Sequence, residues 1–290
     1  SARPLSRAMA AGEGKRWAVV TGASAGLGAA LARALASGRP ELGVDGLVLV
    51  ARRRPRLEAL AGELGAAARA AGRECTVRVV AADLSDAAAG VQAVLAATEG
   101  LEVDLLVNCA GLTAGCGDFD RLGTARLEAE LAVNVRAPLL LTRALLPGML
   151  ERGRGRVLNV SSIAGFLPAP FMGTYGASKA WLRSWSAALS RELASTPVSV
   201  TCYCPGHLQT EFDTAAGIGE DSRLMLRLPG VSESDVDWVA RNALSATARG
   251  RRWATNGWLV WLSIMMSSVL PLWFQLAVVG LLLRTPGCRA

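Results

Sequence analysis

Six short apolar runs, at 17–21 (WAVVT), 47–51 (LVLVA), 77–81, 105–108, 157–160 and 198–203, are each followed by far more residues than a hairpin turn uses. Helical stretches at 25–37, 55–71, 86–98, 124–151, 174–195 and 234–249 fill the intervals or follow the last run. Parallel neighbours need such long crossovers, so the pattern predicts a parallel sheet covered by helices on both faces. Pro55 suits a first helical turn, Ser232-Glu-Ser-Asp235 reads as a capping-box-like start, and 252–255 is a candidate seventh strand. The expected fold class is α/β: a Rossmann-like doubly wound parallel sheet of about seven strands with a hydrophobic helical C-terminal extension. The 290 residues divide into an N-terminal segment (1–14), one α/β domain (15–256) and an apolar tail (257–290).

Composition removes several alternatives. Hydrophobic residues make up 51% and charged residues 19%, which supplies enough apolar surface to offset chain entropy and excludes disorder. The six cysteines contain no C-x-x-C pair and His207 is the only histidine, so no metal site is expected. No G-x-S-x-G elbow accompanies His207, which argues against a hydrolase triad. The net charge is +7, and all basic residues except Lys15 and Lys179 are arginine. The arginine clusters at 52–56, 152–156 and 249–252 read as solvated helix ends. Without a basic helix or stacking aromatics, nucleic acid is not an expected partner; an anionic cofactor or a membrane surface uses the same charge. Residues 1–16 lack an apolar run, and no signal peptide is read there.

Two segments carry chemistry. Thr21-Gly-Ala-Ser-Ala-Gly-Leu-Gly28 stands where the first strand turns into the first helix. Glycines at 22, 26 and 28 let the backbone turn tightly and approach a pyrophosphate, and the helix N-terminus offers free N–H groups to it. The second strand ends in Ala51-Arg52-Arg53-Arg54, with no acid until Glu58. An acid there would hold a free ribose 2′-hydroxyl, whereas Arg52 suits a 2′-phosphate, so NADP(H) is favoured over NAD(H). Downstream, Tyr175-Gly-Ala-Ser-Lys179 places a phenol and an ammonium on one helical face. A nearby cation favours the phenolate, so Lys179 is expected to lower the Tyr175 pKa and make it a usable acid/base.

Together with Asp83-Leu84, Asn108-Cys-Ala-Gly111, Asn134-Val135, Ser161-Ser162 and Pro205-Gly206, these segments resemble the short-chain dehydrogenase/reductase family over about residues 15–256. The resemblance implies an NADP(H)-dependent oxidoreductase that interconverts a carbonyl and a secondary alcohol. It assigns Gly22, Ser24, Gly26 and Gly28 to the phosphate loop, Arg52 to the 2′-phosphate and Asp83 to the adenine amino group. Asn108 and Gly111 would support the adenine ribose and the sheet centre, and Cys109 reads as packing. Tyr175 would be the acid/base. Lys179 would lower its pKa and bind the nicotinamide ribose, Ser162 would orient the substrate oxygen, and Asn134 would hold a proton-relaying water. Pro205, Gly206 and Thr210 would cover the nicotinamide, with His207 a loop residue beside them. The alternative reading is a catalytically idle nucleotide-binding membrane scaffold, against which the complete Ser162, Tyr175 and Lys179 set argues. Helices 124–151 and 174–195 resemble the pair that forms family homodimers.

Residues 257–283 contain no charged side chain, and Pro271 divides them into 14 and 12 residues, each short for a span. Trp258, Trp261 and Trp273 fit interfacial anchoring, so the expectation is a membrane-associated tail, spanning the bilayer or lying on it, with the catalytic domain in a reducing compartment on the cytosolic face. The alternative is a tail packed on a soluble cytoplasmic protein as a substrate hood. Either arrangement favours an apolar, lipid-like substrate.

Overall fold

In the computed structural model, residues 14–39, 41–216, 232–233 and 235–283 are described. The expectations for residues 1–13, for Ser234 and for 284–290 lie outside them. The strands are β1 (Arg16–Thr21), β2 (Gly46–Ala51), β3 (Thr76–Ala81), β4 (Glu102–Asn108), β5 (Gly155–Val160) and β6 (Val198–Tyr203). A last short strand, which chain order makes β9 (Trp253–Ala254), completes a seven-stranded sheet in the order β3-β2-β1-β4-β5-β6-β9, and every pairing in it is parallel. Between β6 and β9 a two-stranded parallel pair, β7 (His207–Leu208) and β8 (Ser232–Glu233), was not foreseen. Order reverses between β1 and β4, the topological switch point at which open α/β sheets bind ligands beyond their carboxyl ends.

The central strands have no polar outer face because helices cover both sides. On one side α1 (Gly26–Ala36), α2 (Arg54–Ala70) and α8 (Val236–Ala248) pack Leu31, Leu57, Leu64 and Val239 against Leu47, Leu49, Leu105 and Leu158. On the other, α3 (Ala87–Thr98), α5 (Ala137–Glu151) and α6 (Gly173–Glu192) cover Val48, Val50, Leu106 and Val157. Each such side chain, fully removed from water, contributes about 1.5–3 kcal/mol before entropy is charged against it. The cap of α8 is Asp235, whose carboxylate accepts from Trp238 N–H at 2.7 Å.

The single helix expected over 124–151 is interrupted. It runs as α4 (Thr124–Leu131), a π-helical turn (Ala132–Arg136) and α5. Pro138 has no N–H to give the Asn134 carbonyl four residues back, so an α-helical bond cannot form there and the turn widens. The arginines near 152 are not solvated helix ends. Asp104, buried at the amino end of β4, receives Arg16, Arg152 and Arg154 at 2.8, 3.3 and 2.6 Å. A buried carboxylate needs such partners, and they tie β1, β4 and the approach to β5 together at the edge opposite the site.

The tail forms α9 (Trp258–Val269) and, after Pro271, α10 (Leu272–Leu283). Val260, Ile264 and Val279 are buried, and the Gln275 side chain donates to the carbonyls of Ser267 and Leu270, both at 2.7 Å. The opposite face carries exposed Trp258, Trp261, Leu262, Met266, Val269, Leu272 and Trp273. Among the described residues no helix is long and apolar enough to cross a membrane.

Candidate active site

The carboxyl ends of β1, β2, β4, β5 and β6 open into a cleft of about 480 Å³. Its floor is the glycine loop. Gly22 and Gly26 have φ of +71° and +53°, the left-handed region that favours glycine, and a Cβ on Gly28 would stand 2.2 Å from the Gly22 carbonyl oxygen. The backbone there is compressed in a way that only glycine permits, which leaves a concave cradle at the N-terminus of α1. Thr21 Oγ1 donates to the Val107 carbonyl at 3.2 Å and accepts from Cys109 and Ala110 N–H at 3.0 Å each, so the loop is clamped to the end of β4. This cradle, with Ser24, Arg52, Asp83 and Gly111 also lining the cleft, fits a dinucleotide.

At the cationic end, Arg53 lines the cleft together with Arg52. Arg52 lines the cleft and is exposed, but Arg53 is the side chain that reaches the loop, through Nη2 and Nε at 3.0 and 3.2 Å from Ser24 Oγ. Its Nη1 holds Glu211 at 2.7 Å, and Arg56 holds the same carboxylate at 2.6 and 2.8 Å. The arginine run is plain in the sequence, but which member reaches Ser24 depends on how the chain leaves β2. Asp83 Oδ1 accepts from Ser85 N–H and Oγ, a turn that leaves its carboxylate facing the cleft.

At the other end, Ser162 follows β5 as the cap of a 3₁₀ turn (Ile163–Gly165), its Oγ accepting from Ala164 N–H at 3.1 Å. Tyr175 and Lys179 come from the first turns of α6. Lys179 is 4% exposed and donates to the Val160 carbonyl at 3.0 Å, and its Nζ lies 5.7 Å from the Tyr175 ring centre. Burial depresses the Lys179 pKa below its ordinary value. The expectation that Lys179 lowers the Tyr175 pKa is not met in this state. Burial is the largest influence on the phenol, and with the charges of Glu130, Asp213 and Cys109 it outweighs the hydrogen bond with Ser162, so the pKa rises to about 12. Desolvation of the phenolate dominates, so the phenol is protonated at pH 7.

Two assigned residues stand beneath the cleft rather than in it. Asn108 is buried, with Nδ2 donating to Asn159 Oδ1 at 2.8 Å and Thr142 Oγ1 at 3.3 Å, so its side chain joins β4 to β5 and does not face a ribose. Asn134, in the π-turn, accepts from Leu112 N–H at 2.9 Å and spends both amide protons, on the Leu112 carbonyl and Ser178 Oγ. Its side chain clamps the segment after β4 to α6 and is a positioning group; a relayed water would have to use its main-chain carbonyl, which Pro138 leaves without an α-helical donor. That clamp matters, because a Cβ on Gly111 would stand 3.6 Å from Lys179 Nζ.

Pro205 and Gly206 are buried at the end of β6, and Gly206 N–H donates to Asn256 Oδ1 at 2.7 Å. Asn256, just past β9, was not singled out from sequence; no local pattern marks it. His207 lines the cleft with Nε2 2.9 and 3.0 Å from the Asp213 carboxylate. Thr210 caps α7 (Glu211–Ala215), and a Cβ on Gly26 would meet its side chain at 3.4 Å, so this segment closes over the phosphate loop. Phe212 packs against Tyr175 with ring centres 5.4 Å apart. Cys109 is a free thiol whose pKa burial raises to about 12, which fits packing.

The arrangement is a dinucleotide cradle ending at a serine–tyrosine–lysine cluster in which Ser162 and Tyr175 line the cleft over a buried Lys179, suited to moving a proton at an oxygen while a bound cofactor exchanges a hydride. Residues 16–221 match the family described as short chain dehydrogenase. The ketoacyl reductase HetN of a Nostoc species is 34% identical over 215 residues, 74% of this chain and 69% of its own length. The NADP-dependent 3-hydroxy acid dehydrogenase YdfG of Salmonella typhi is 33% identical over 208 residues, 71% of this chain and 78% of its own. A solved short-chain dehydrogenase from Sphingobium yanoikuyae in complex with NADPH superposes with a TM-score of 0.74 at 29% identity, covering 95% of this chain and 98% of that one. Similar solved structures include complexes with NAD as well as with NADP.

Proposed function

The chain belongs to the short chain dehydrogenase family, as an oxidoreductase acting on hydroxyl and keto groups, and from that premise we propose that it uses NADP(H) on an apolar, lipid-like carbonyl compound or secondary alcohol. The observation that carries this reading is the contrast between the ends of the site. Arg52 and Arg53 supply charge at the ribose end, while Phe119, Leu122, Phe171 and Met172 wall the space beside Tyr175. Bound NADP(H) supplies or accepts the hydride. Arg52, Arg53 and Ser24 would hold its 2′-phosphate end, the glycine loop its pyrophosphate, and Pro205, Gly206 and Thr210 its nicotinamide end.

The chain's own residues handle the proton. Ser162 and Tyr175 converge on a substrate oxygen, and the phenol donates its proton as that oxygen gains charge. Lys179, held by the Val160 carbonyl, places a cation behind the phenol, where it favours the phenolate formed on donation. The test is consumption of NADPH and of NADH with a panel of aliphatic, cyclic and lipid-derived ketones. Turnover restricted to NADPH and rising with substrate chain length is expected. Tight NADPH binding without turnover of any carbonyl would leave the idle scaffold as the better description.

A tail on a membrane surface is the second part of the reading. β9 runs parallel to β6, so Asn256 and Gly257 leave the sheet at the cleft edge, and a Cβ on Gly280 would lie 3.8 Å from Pro170 of the substrate-side wall. The tail thus packs beside the substrate entrance while its other face shows Trp258 and Trp273 at 70% and 71% exposure. An exposed apolar surface of this extent marks an interaction site. Co-sedimentation with anionic vesicles should be strong for the full chain and lost in Trp258→Glu/Trp273→Glu. Equal sedimentation of the two proteins would remove the membrane from the proposal and leave the tail as a hood.

A further inference from the structure

Beside Tyr175, on the side away from the glycine loop, lies a second pocket of about 420 Å³. Its wall is largely apolar, through Phe119, Leu122, Phe171 and Met172, and its reactive end is the tyrosine itself. The last turn of α4 brings Glu130 into this wall. The side chain is 1% exposed, its Oε2 accepts from Ala114 N–H, and its Oε1 has no hydrogen-bond partner among the described residues. Protein interiors leave few buried polar atoms unpaired, and a carboxyl oxygen is among the costliest to leave so. A purely structural reading gives Glu130 one task, capping Ala114, which explains Oε2 and leaves Oε1 without a purpose.

We propose that Glu130 is a specificity-determining residue that pairs with a second hydroxyl on the substrate, so that the preferred substrates are apolar hydroxyketones and their diols rather than simple ketones. The inference rests on the oxidoreductase reading and deepens it. The choice of hydroxyl follows from chemistry. Burial pushes the Glu130 carboxyl above its ordinary pKa, while Ala114 N–H and the Lys179 charge pull it back. When protonated, the acid carries its proton on Oε1, because Oε2 already accepts from Ala114, and it donates into the pocket. When ionised, Oε1 accepts. A hydroxyl donates and accepts, so it pairs with either form, whereas a carbonyl pairs only with the acid and a substrate carboxylate is repelled by the ionised form. Among the described residues lining the pocket, the only other carboxylate is Asp118, which is partly exposed and keeps access to water. The far wall is set by Phe171, whose φ of +66° is unusual for a side chain of that size and whose carbonyl accepts from Gly117 N–H at 3.0 Å.

The test uses the full chain with NADPH and one set of ketones: a long-chain methyl ketone and isomers carrying a hydroxyl on successive carbons away from the carbonyl. Wild type should prefer one isomer over the parent ketone by at least tenfold in kcat/KM. In Glu130→Leu that ratio should fall to near one, whatever happens to the absolute rates. In Glu130→Gln much of the ratio should return, since the amide still accepts from Ala114 and can donate into the pocket. The loss should appear mainly in KM. A ratio that survives Glu130→Leu, or rates that fall together for parent and hydroxylated ketones, would make Glu130 a structural cap only. Turnover of ketones by wild type with no isomer preferred overturns this inference alone, and no turnover of any ketone overturns it together with the oxidoreductase reading.

Discussion

Glu211 stands over the phosphate loop at the start of α7 and neutralises the two arginines nearest to it. Its carboxylate takes Arg53 at 2.7 Å and Arg56 at 2.6 Å, and these partners hold its pKa below the ordinary glutamate value. Arg53 also donates to Ser24 Oγ, so it sits where a 2′-phosphate would meet the loop while already committed to an acid. NADPH must therefore share or displace Glu211, whereas NADH has no 2′-phosphate and gains nothing from the same arginine. Both partners are about half exposed, so solvent screens the pair, and an exposed ion pair is worth about 0.2–1 kcal/mol. Removing the competitor in Glu211→Gln should then tighten NADPH by up to about fivefold, at 1.36 kcal/mol per tenfold. NADH affinity should stay nearly constant. Fluorescence titration of both cofactors at low and high salt measures this, and the NADPH gain should shrink as salt screens the arginines. Weaker NADPH binding, or an equal gain for NADH, would show that Glu211 latches α7 over the cofactor instead of competing with it.

Other substitutions probe the remaining parts. Tyr175→Phe removes the proton donor and little volume, so kcat should fall by a hundredfold or more, within the range of about 10²–10⁴ for general acids, while NADPH titrates as in wild type. Because the phenol titrates near 12 and must be ionised to accept a proton, alcohol oxidation should climb steadily from pH 7 to 10. Reduction should stay flat until Lys179, whose pKa lies below 10.5, loses its charge; an oxidation rate independent of pH over that span would remove Tyr175 as the base. Gly28→Ala would force a methyl against the Gly22 carbonyl, costing about 1–3 kcal/mol of overpacking and at least tenfold in dinucleotide affinity, read by thermal melting with and without NADPH. Asn256→Ala strands the buried Gly206 N–H, so urea unfolding should show a loss of about 1–3 kcal/mol.

What the sequence by itself determined is the part governed by local periodicity and by residues that only one backbone geometry admits. The apolar runs became β1 to β6 and the short run at 252–255 became β9, because buried parallel strands have no polar face to obscure the signal. The glycines at 22, 26 and 28 announced the cradle, since no other residue tolerates those dihedrals and that packing. The spacing of Tyr175 and Lys179 put both on one face of α6, and Pro271 marked the break between α9 and α10.

Tertiary structure decided everything that depends on which way a side chain turns or on what lies across the fold. Arg53 rather than Arg52 contacts Ser24, because the residues leaving β2 point in different directions. Asn108 and Asn134 carry the right residue type, but the sheet and the π-turn spend their amides beneath the cleft. Asn256 supports Gly206 across 50 residues of sequence, and Asp104 gathers arginines that alone look solvated. The direction of the Tyr175 pKa also belongs here. Sequence supplied the lysine, but burial dominates the phenol, and the charges of Glu130 and Asp213, which come from other elements, add to it. Periodicity along a chain records which face is buried; it holds no record of the charges and partners that burial brings together.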